Sequence, residues 1–289
     1  MSDFIEMFGS PFVACVLMGS ILSYLGIHVL KREIIFIDIA VAQVAAVGAL
    51  AAHMIFHVEE DAVLSYLFSL ACVLAIAAFY AVARWKVKSI SIEAVIGISY
   101  AITAAGALFL IGIQPGHAHA DEILAGTLLW VTWPGVLVAL GIFLLVAMAL
   151  FAFREPLSTV SDNHNGAAEH GLNVVKWDFA FYALLGIVIT IAVRLSGVVT
   201  VFAMLIIPAT TSALFATTTV CRLLIAWLTV ILASLAGLLA SYYHDFSAGP
   251  AIALALGTLL ALAALTTRAC KKAGAAASSL SPERSQHVA

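Results

Sequence analysis

Residues 116–123 read GHAHADEI. His117 and His119 are two positions apart, and Asp121 and Glu122 follow directly. In an extended segment side chains alternate, so His117, His119 and Asp121 would face one way. Two imidazoles and a carboxylate on one side suit zinc or manganese better than calcium, which prefers oxygen ligands throughout. The competing role is a solvated loop in which Asp121 or Glu122 places negative charge at the start of a short helix over 123–133.

Two further groups bear on the same chemistry. His53 and His57 are four apart, so on a helix they share a face and offer a transition metal two nitrogens; isolated interfacial histidines are the alternative. Glu59, Glu60 and Asp61 follow and add attraction for a cation. His244 and Asp245 form a smaller pair of the same kind. Asp38 and Gln43 lie inside the apolar text IFIDIAVAQVAAVGAL. Asp38 is expected roughly 8 Å inside the edge marked by Lys31 and Arg32, at 1.5 Å per helical residue. A carboxylate there either marks a pathway or pairs with a nearby lysine or arginine, and Gln43 either contacts a transported ion or joins two helices. They are about 140° apart around a helix and share no face.

The elements that must position these residues follow from composition. The chain has 289 residues, 64% hydrophobic and 10% charged, with mean hydropathy +1.12. Soluble domains run nearer 45–50% apolar and about 25% charged. The reading is an all-α integral membrane protein. Nine apolar runs reach spanning length: Phe8–Leu30, Ile34–His57, Ala62–Ala83, Ile92–Ile113, Pro134–Phe153, Trp177–Val193, Val198–Val220, Leu223–Tyr243 and Gly249–Thr267. Reassigning the first run or 123–133 gives eight. The N-terminal text MSDFIEMF lacks the positive region of a signal peptide, so the first run is expected to be retained.

Lys31, Arg32, Arg84, Lys86, Lys88, Arg154, Lys176, Arg222, Arg268, Lys271 and Lys272 fall in alternate gaps, and Arg194 is the lysine or arginine of the opposite gaps. By the positive-inside rule the first side is cytoplasmic and the histidine-bearing gaps face outward. The domain expectation is a single transmembrane unit over 1–268, with one long cytoplasmic loop at 154–176 and a disordered cytoplasmic tail at 269–289. The net charge of −3 and the lack of a long basic run exclude a nucleic-acid binder. The four cysteines form no CxxC pair. No GxxxxGK[ST] occurs, so any ATP-driven step needs another chain. No HExxH or GxSxG in an intramembrane setting supports an enzyme.

Four blocks resemble the ABC-3 family, the permease subunits of bacterial importers for zinc, manganese and iron. They are LMGSILSYLGIHVLKREIIFIDIAVAQVAAVGALAAH, IEAVIGISYAITAAGALFL, ILAGTLLWVTW, and RLSGVVTVFAMLIIPATTSALFA followed by SLAGLLASYYHDFSAGPAIAL. The resemblance implies a type II importer-like permease in the bacterial inner membrane, multi-pass and paired as a homodimer or heterodimer, with the homodimer preferred. It implies a cytoplasmic ATP-binding subunit and a periplasmic metal-binding protein as partners. The metal is cargo, with no cofactor held permanently and no enzymatic activity in this chain. Zinc comes first because histidine is the ligand on offer outside, with manganese and iron open.

By resemblance Ser158–Gly171 docks on the ATPase, which singles out Ser158, Asp162, Asn163, His164, Glu169, His170 and Gly171. There is one departure. With Gly48 aligned to the family's glycine, Gln43 stands where most members have a histidine and Ile39 where they have an aspartate, with Asp38 one position early. The rival from another class is an ion-coupled secondary transporter acting without an ATPase, which would need several buried ionisable groups; an intramembrane zinc protease would need ligand clusters at membrane depth.

Overall fold

The computed structural model describes residues 2–57, 62–87, 89–113, 128, 131–162, 166, 172–244 and 246–279. Ten helices are found among them: α1 (Ser2–Lys31), α2 (Ile37–Phe56), α3 (Val63–Lys86), α4 (Ile92–Ile113), α5 (Trp133–Ala152), α6 (Arg154–Asp162), α7 (Val174–Ser196), α8 (Val198–Phe215), α9 (Thr219–His244) and α10 (Ala248–Ser279). Nine are long and apolar enough to span a membrane, and α6 is the short, polar exception. Each expected run has its helix, with ends shifted by a few residues. The half-helix expected over 123–133 lies almost wholly outside the described residues.

Connectivity sorts the bundle into two ends. At one lie Lys31, Arg32, Arg84, α6 and the start of α7, joined by ion pairs. At the other, the Arg194 guanidinium sits 3.7 Å from the centre of the Tyr66 ring, and Phe8 meets Tyr242 edge to face. The cations thus gather where the charge count expects them.

α1 is the axis of the fold. It packs on α8 and α9, leans on α5, and has 67% of its apolar window buried. α2, α3 and α7 form a second group, with α4 laid against α2; α8, α9 and α10 close the other side. In a bilayer, lipid is as apolar as leucine, so close backbone approach carries the packing. Gly26 shows this directly, because a Cβ there would come 1.9 Å from the Leu205 carbonyl oxygen of α8. Gly197 alone links α7 to α8 at φ 80°, a conformation that side-chain-bearing residues avoid.

The last helix runs on to Ser279, past the expected end of the span. Its text ACKKAGAAASS is rich in alanine, the strongest helix former. Residues 280–289 lie outside the described residues.

Candidate functional site

At the end opposite the cations, α2 terminates in a left-handed residue. His57 has φ 52°, and its N–H donates to the His53 carbonyl at 2.9 Å. His53 is half-buried on the last turn, whereas His57 is exposed and turned off the helix. The helical face expected to stack them ends between them. His244 closes α9 and is exposed. His117, His119, Asp121, Glu122 and Asp245 lie outside the described residues, as do Glu59, Glu60 and Asp61. Among the described residues no three histidine, cysteine, aspartate or glutamate side chains gather as a metal site.

Asp38 is the second residue of α2 and only 1% exposed. Its Oδ1 has no hydrogen-bond partner. The second apolar run was expected to be helical from Ile34. A tight turn over 32–36 intervenes, with Glu33 at φ 56°, so Asp38 sits in the first turn of α2. There the free N–H groups and the helix dipole favour a carboxylate, and the preceding Phe36 supplies no side-chain cap. Gln43 lies on the other side of α2 and is half-exposed. The two polar groups therefore do not form one coordination sphere.

The lysines and arginines that could have paired with Asp38 are engaged elsewhere. Arg32 is fully buried. Its Nη1 donates to Asp178 Oδ1, its Nε to Ser161 Oγ at 2.9 Å, and its Nη2 reaches the Leu157 carbonyl at 3.4 Å. The guanidinium also lies 4.2 Å from the centre of the Phe181 ring. Asp178, on the first turns of α7, takes a second cation in Arg84 Nε at 3.9 Å. Arg84 donates to the Tyr182 hydroxyl at 3.1 Å and to the Arg32 carbonyl at 3.3 Å.

Helix α6, the described part of the segment expected to dock on an ATPase, is bound into this cluster. α6 carries Leu157, Val160 and Ser161 on its buried side. Ser161 donates to the Leu157 carbonyl at 2.6 Å, and His28 Nδ1 lies 3.1 Å from the same hydroxyl. Lys31 donates to Asp162 at 2.7 Å, and Ser158 donates to the other oxygen of that carboxylate at 3.1 Å. Partial burial pushes the Asp162 carboxyl up, but the Lys31 ammonium and the Ser158 hydroxyl outweigh it and hold it below its usual range. Asn163, His164, Glu169, His170 and Gly171 lie outside the described residues.

Sequence reasoning singled out Ser158 and Asp162 but passed over Arg32, Asp178, His28, Ser161 and Arg84 as members of one cluster. The available signal was Asp178. It is a carboxylate just inside a span at the cation-rich edge, and it needs a partner there.

A family model described as the ABC 3 transport family matches residues 5–268. A "probable metal transport system membrane protein" of Chlamydia pneumoniae is 29% identical over 53% of this chain and 53% of its own length. The manganese import system permease protein ScaB of Streptococcus parasanguinis is 28% identical over 58% of this chain and 61% of its own. The high-affinity zinc uptake system membrane protein ZnuB of Haemophilus influenzae is 23% identical over 60% of this chain and 66% of its own. The chain thus matches between about half and two thirds of the length of these relatives.

Among solved structures, the chain superposes on PsaBC from Streptococcus pneumoniae in complex with Fab, with TM-score 0.73 and 20% identity, covering 89% of this chain and 91% of that one. It also superposes on an inward-facing conformation of a putative metal-chelate type ABC transporter, with TM-score 0.68 and 19% identity over 89% of this chain and 85% of that one. These likenesses concern the fold. The family match takes in every span found among the described residues and the clamped α6, and the chain belongs to the ABC 3 transport family.

Proposed function

We propose that this chain is the membrane-spanning subunit of a bacterial inner-membrane importer that carries a divalent transition metal into the cytoplasm. The observation that carries the reading is the family match over residues 5–268, with relatives named for manganese and zinc uptake. A separate ATP-binding subunit supplies the energy, a periplasmic metal-binding protein supplies the cargo, and a second permease copy completes the membrane path. Zinc is the first candidate cargo, because histidine is the ligand type placed at the outer end.

Three features of the chain support the roles. The histidine- and acid-bearing outer gaps raise the local cation concentration. Asp38 offers a carboxylate at the basic end, and Gln43 a weak neutral oxygen on the other side of α2. They serve successive points of a route, and sparse ligands favour release over capture. α6 offers its exposed residues Glu155, Thr159 and Asp162 to the ATPase while Leu157 and Ser161 hold it to the bundle.

The test is co-purification of this chain with a P-loop ATPase, followed by metal-stimulated ATP hydrolysis of the complex in liposomes. Metal transport by this chain alone in liposomes would overturn the reading in favour of an ion-coupled secondary transporter.

A further inference from the structure

Three basic residues close α1 at the cation-rich end. His28, Lys31 and Arg32 stand three and four positions apart, so they share one side of the helix. All three reach the last turn of α6. Lys31 takes Asp162, while Arg32 and His28 both take the neighbouring Ser161. α6 has only nine residues and buries Leu157, Val160 and Ser161. A helix so short holds its place through such contacts rather than by itself.

The hydrogen bonds of Ser161 decide what His28 does there. A hydroxyl has one proton and two lone pairs. The Leu157 carbonyl oxygen is 2.6 Å away, four positions back, and two oxygens so close need a proton between them. The hydroxyl proton is therefore spent on Leu157. Arg32 Nε–H, a donor in every state of the guanidinium, takes one lone pair at 2.9 Å. The other lone pair meets His28 Nδ1 at 3.1 Å. A bare Nδ1 would set two lone pairs against each other in a buried site, which is costly. The ring has little room to turn away. His28 is 4% exposed, and its ring meets Tyr24 edge to face at 5.0 Å and leans on Phe181 at 6.1 Å. Phe181 also carries the Arg32 guanidinium.

We infer that His28 is a positioning residue for α6, carrying a proton on Nδ1 and donating it to Ser161. Arg32 ties Ser161 to α7 through Asp178, and His28 ties it to α1. The two donors approach one oxygen from different helices and so fix the last turn of α6 between them. With the His28 donor gone, α6 can swing about the Arg32 bond. The consequence for transport rests on the proposed role of α6 as the ATPase contact; the proton on Nδ1 and the hold on α6 do not.

The test begins with the full chain, its histidines labelled with nitrogen-15, in phospholipid nanodiscs. The ring signals that disappear in His28→Asn should show a protonated Nδ1 in the parent. The variants separate the two ring nitrogens, because an asparagine amide stands near the place of Nδ1 and a glutamine amide near that of Nε2. Hydrogen exchange of the α6 amides in His28→Asn should stay within about twofold of the parent. In His28→Gln and His28→Ala it should quicken roughly fivefold, the equivalent of about 1 kcal/mol for one lost hydrogen bond. In liposomes with the ATPase bound, metal moved per ATP should follow the same order, with asparagine rescuing and glutamine not. A bare Nδ1, or exchange as fast in His28→Asn as in His28→Ala, would overturn the assignment. Faster exchange with metal moved per ATP unchanged would overturn the part of His28 in coupling. A chain that binds no ATPase would sink the transport reading, while the spectrum and the exchange still decide what His28 does. The parent spectrum decides the protonation even where a variant fails to fold.

Discussion

Arg32 and Asp178 lie 146 positions apart and meet as a buried ion pair, with side chains 0% and 1% exposed. The pair fastens the α1–α2 turn to the start of α7, and through Ser161 it fastens α6 to both. Glu93 of α4 adds a fourth tie by accepting the Ile35 N–H at 3.2 Å. A chain of contacts thus runs from α6 through Ser161 and Arg32 to the turn that precedes α2, where Asp38 sits. Leaving either charge of such a pair alone in the interior costs about 3–5 kcal/mol. Arg32→Ala or Asp178→Ala should sharply lower the amount of folded chain and its thermal midpoint in detergent. Arg32→Met with Asp178→Leu should recover most of that stability. Equal loss in the single and double variants would mean that the pair is not the source.

The double variant also separates stability from coupling. With Arg32 gone, Ser161 and the Leu157 carbonyl lose their link to α7, so α6 is held by Lys31, His28 and its own apolar residues. ATP hydrolysis by the assembled complex should persist while metal moved per ATP falls several-fold. An unchanged ratio would remove Arg32 from the coupling route.

Asp38→Asn replaces a buried carboxyl, one oxygen of which has no hydrogen-bond partner, with little change in side-chain volume. The folded chain should be as stable as the parent or more so, by the desolvation argument. If the carboxylate contacts cargo, radiometal uptake should fall at every metal concentration. Stable protein with unchanged uptake would leave Asp38 as a helix-start residue only.

His117→Ala with His119→Ala should reduce uptake at limiting metal and leave it unaltered at saturating metal, because outer ligands act on capture. Uptake unchanged under limitation would remove this loop from the mechanism.

The contact of Lys31 with Asp162 is pH-dependent in a defined sense. The folded carboxyl sits below its usual range, so its contribution is present at neutral pH and is lost as pH falls below the ordinary carboxylate range through the folded value. Asp162 is 55% exposed, so solvent screening limits the effect to about 0.2–1 kcal/mol. Asp162→Asn should lower the thermal midpoint slightly at pH 7, by an amount that shrinks as pH falls progressively below the ordinary carboxylate range, and added salt should shrink it too. A gap that does not shrink on acidification would assign the effect to packing.

Gly26→Ala tests the axis. Its Cβ would meet a backbone carbonyl, which cannot rotate away, so α1 and α8 must separate. A loss of about 1–3 kcal/mol or more is expected in the detergent melt. An unchanged melt would show that the contact is not tight.

The membrane class, the nine spans found among the described residues and the end at which the cations gather were legible in the sequence. Each depends on a one-dimensional quantity: the length of apolar runs against the bilayer, and the gaps in which Lys and Arg fall. The family was legible too, because its blocks are local text. The charge partners were not. Pairing of Asp38 with a nearby lysine or arginine was one of two readings, yet Lys31 pairs with Asp162 and Arg32 with Asp178, each more than 120 positions away. The length of the turn over 32–36 was not legible either: it starts α2 at Ile37 where the apolar run begins at Ile34. A buried charge must find its counter-charge wherever helices bring one, since the interior leaves no alternative. The cavity between α1, α5 and α9 was hidden for the same reason: only the packing of these helices leaves the space between them. Periodicity and composition fix what enters the membrane, and helix packing alone decides which charges meet and which stay open.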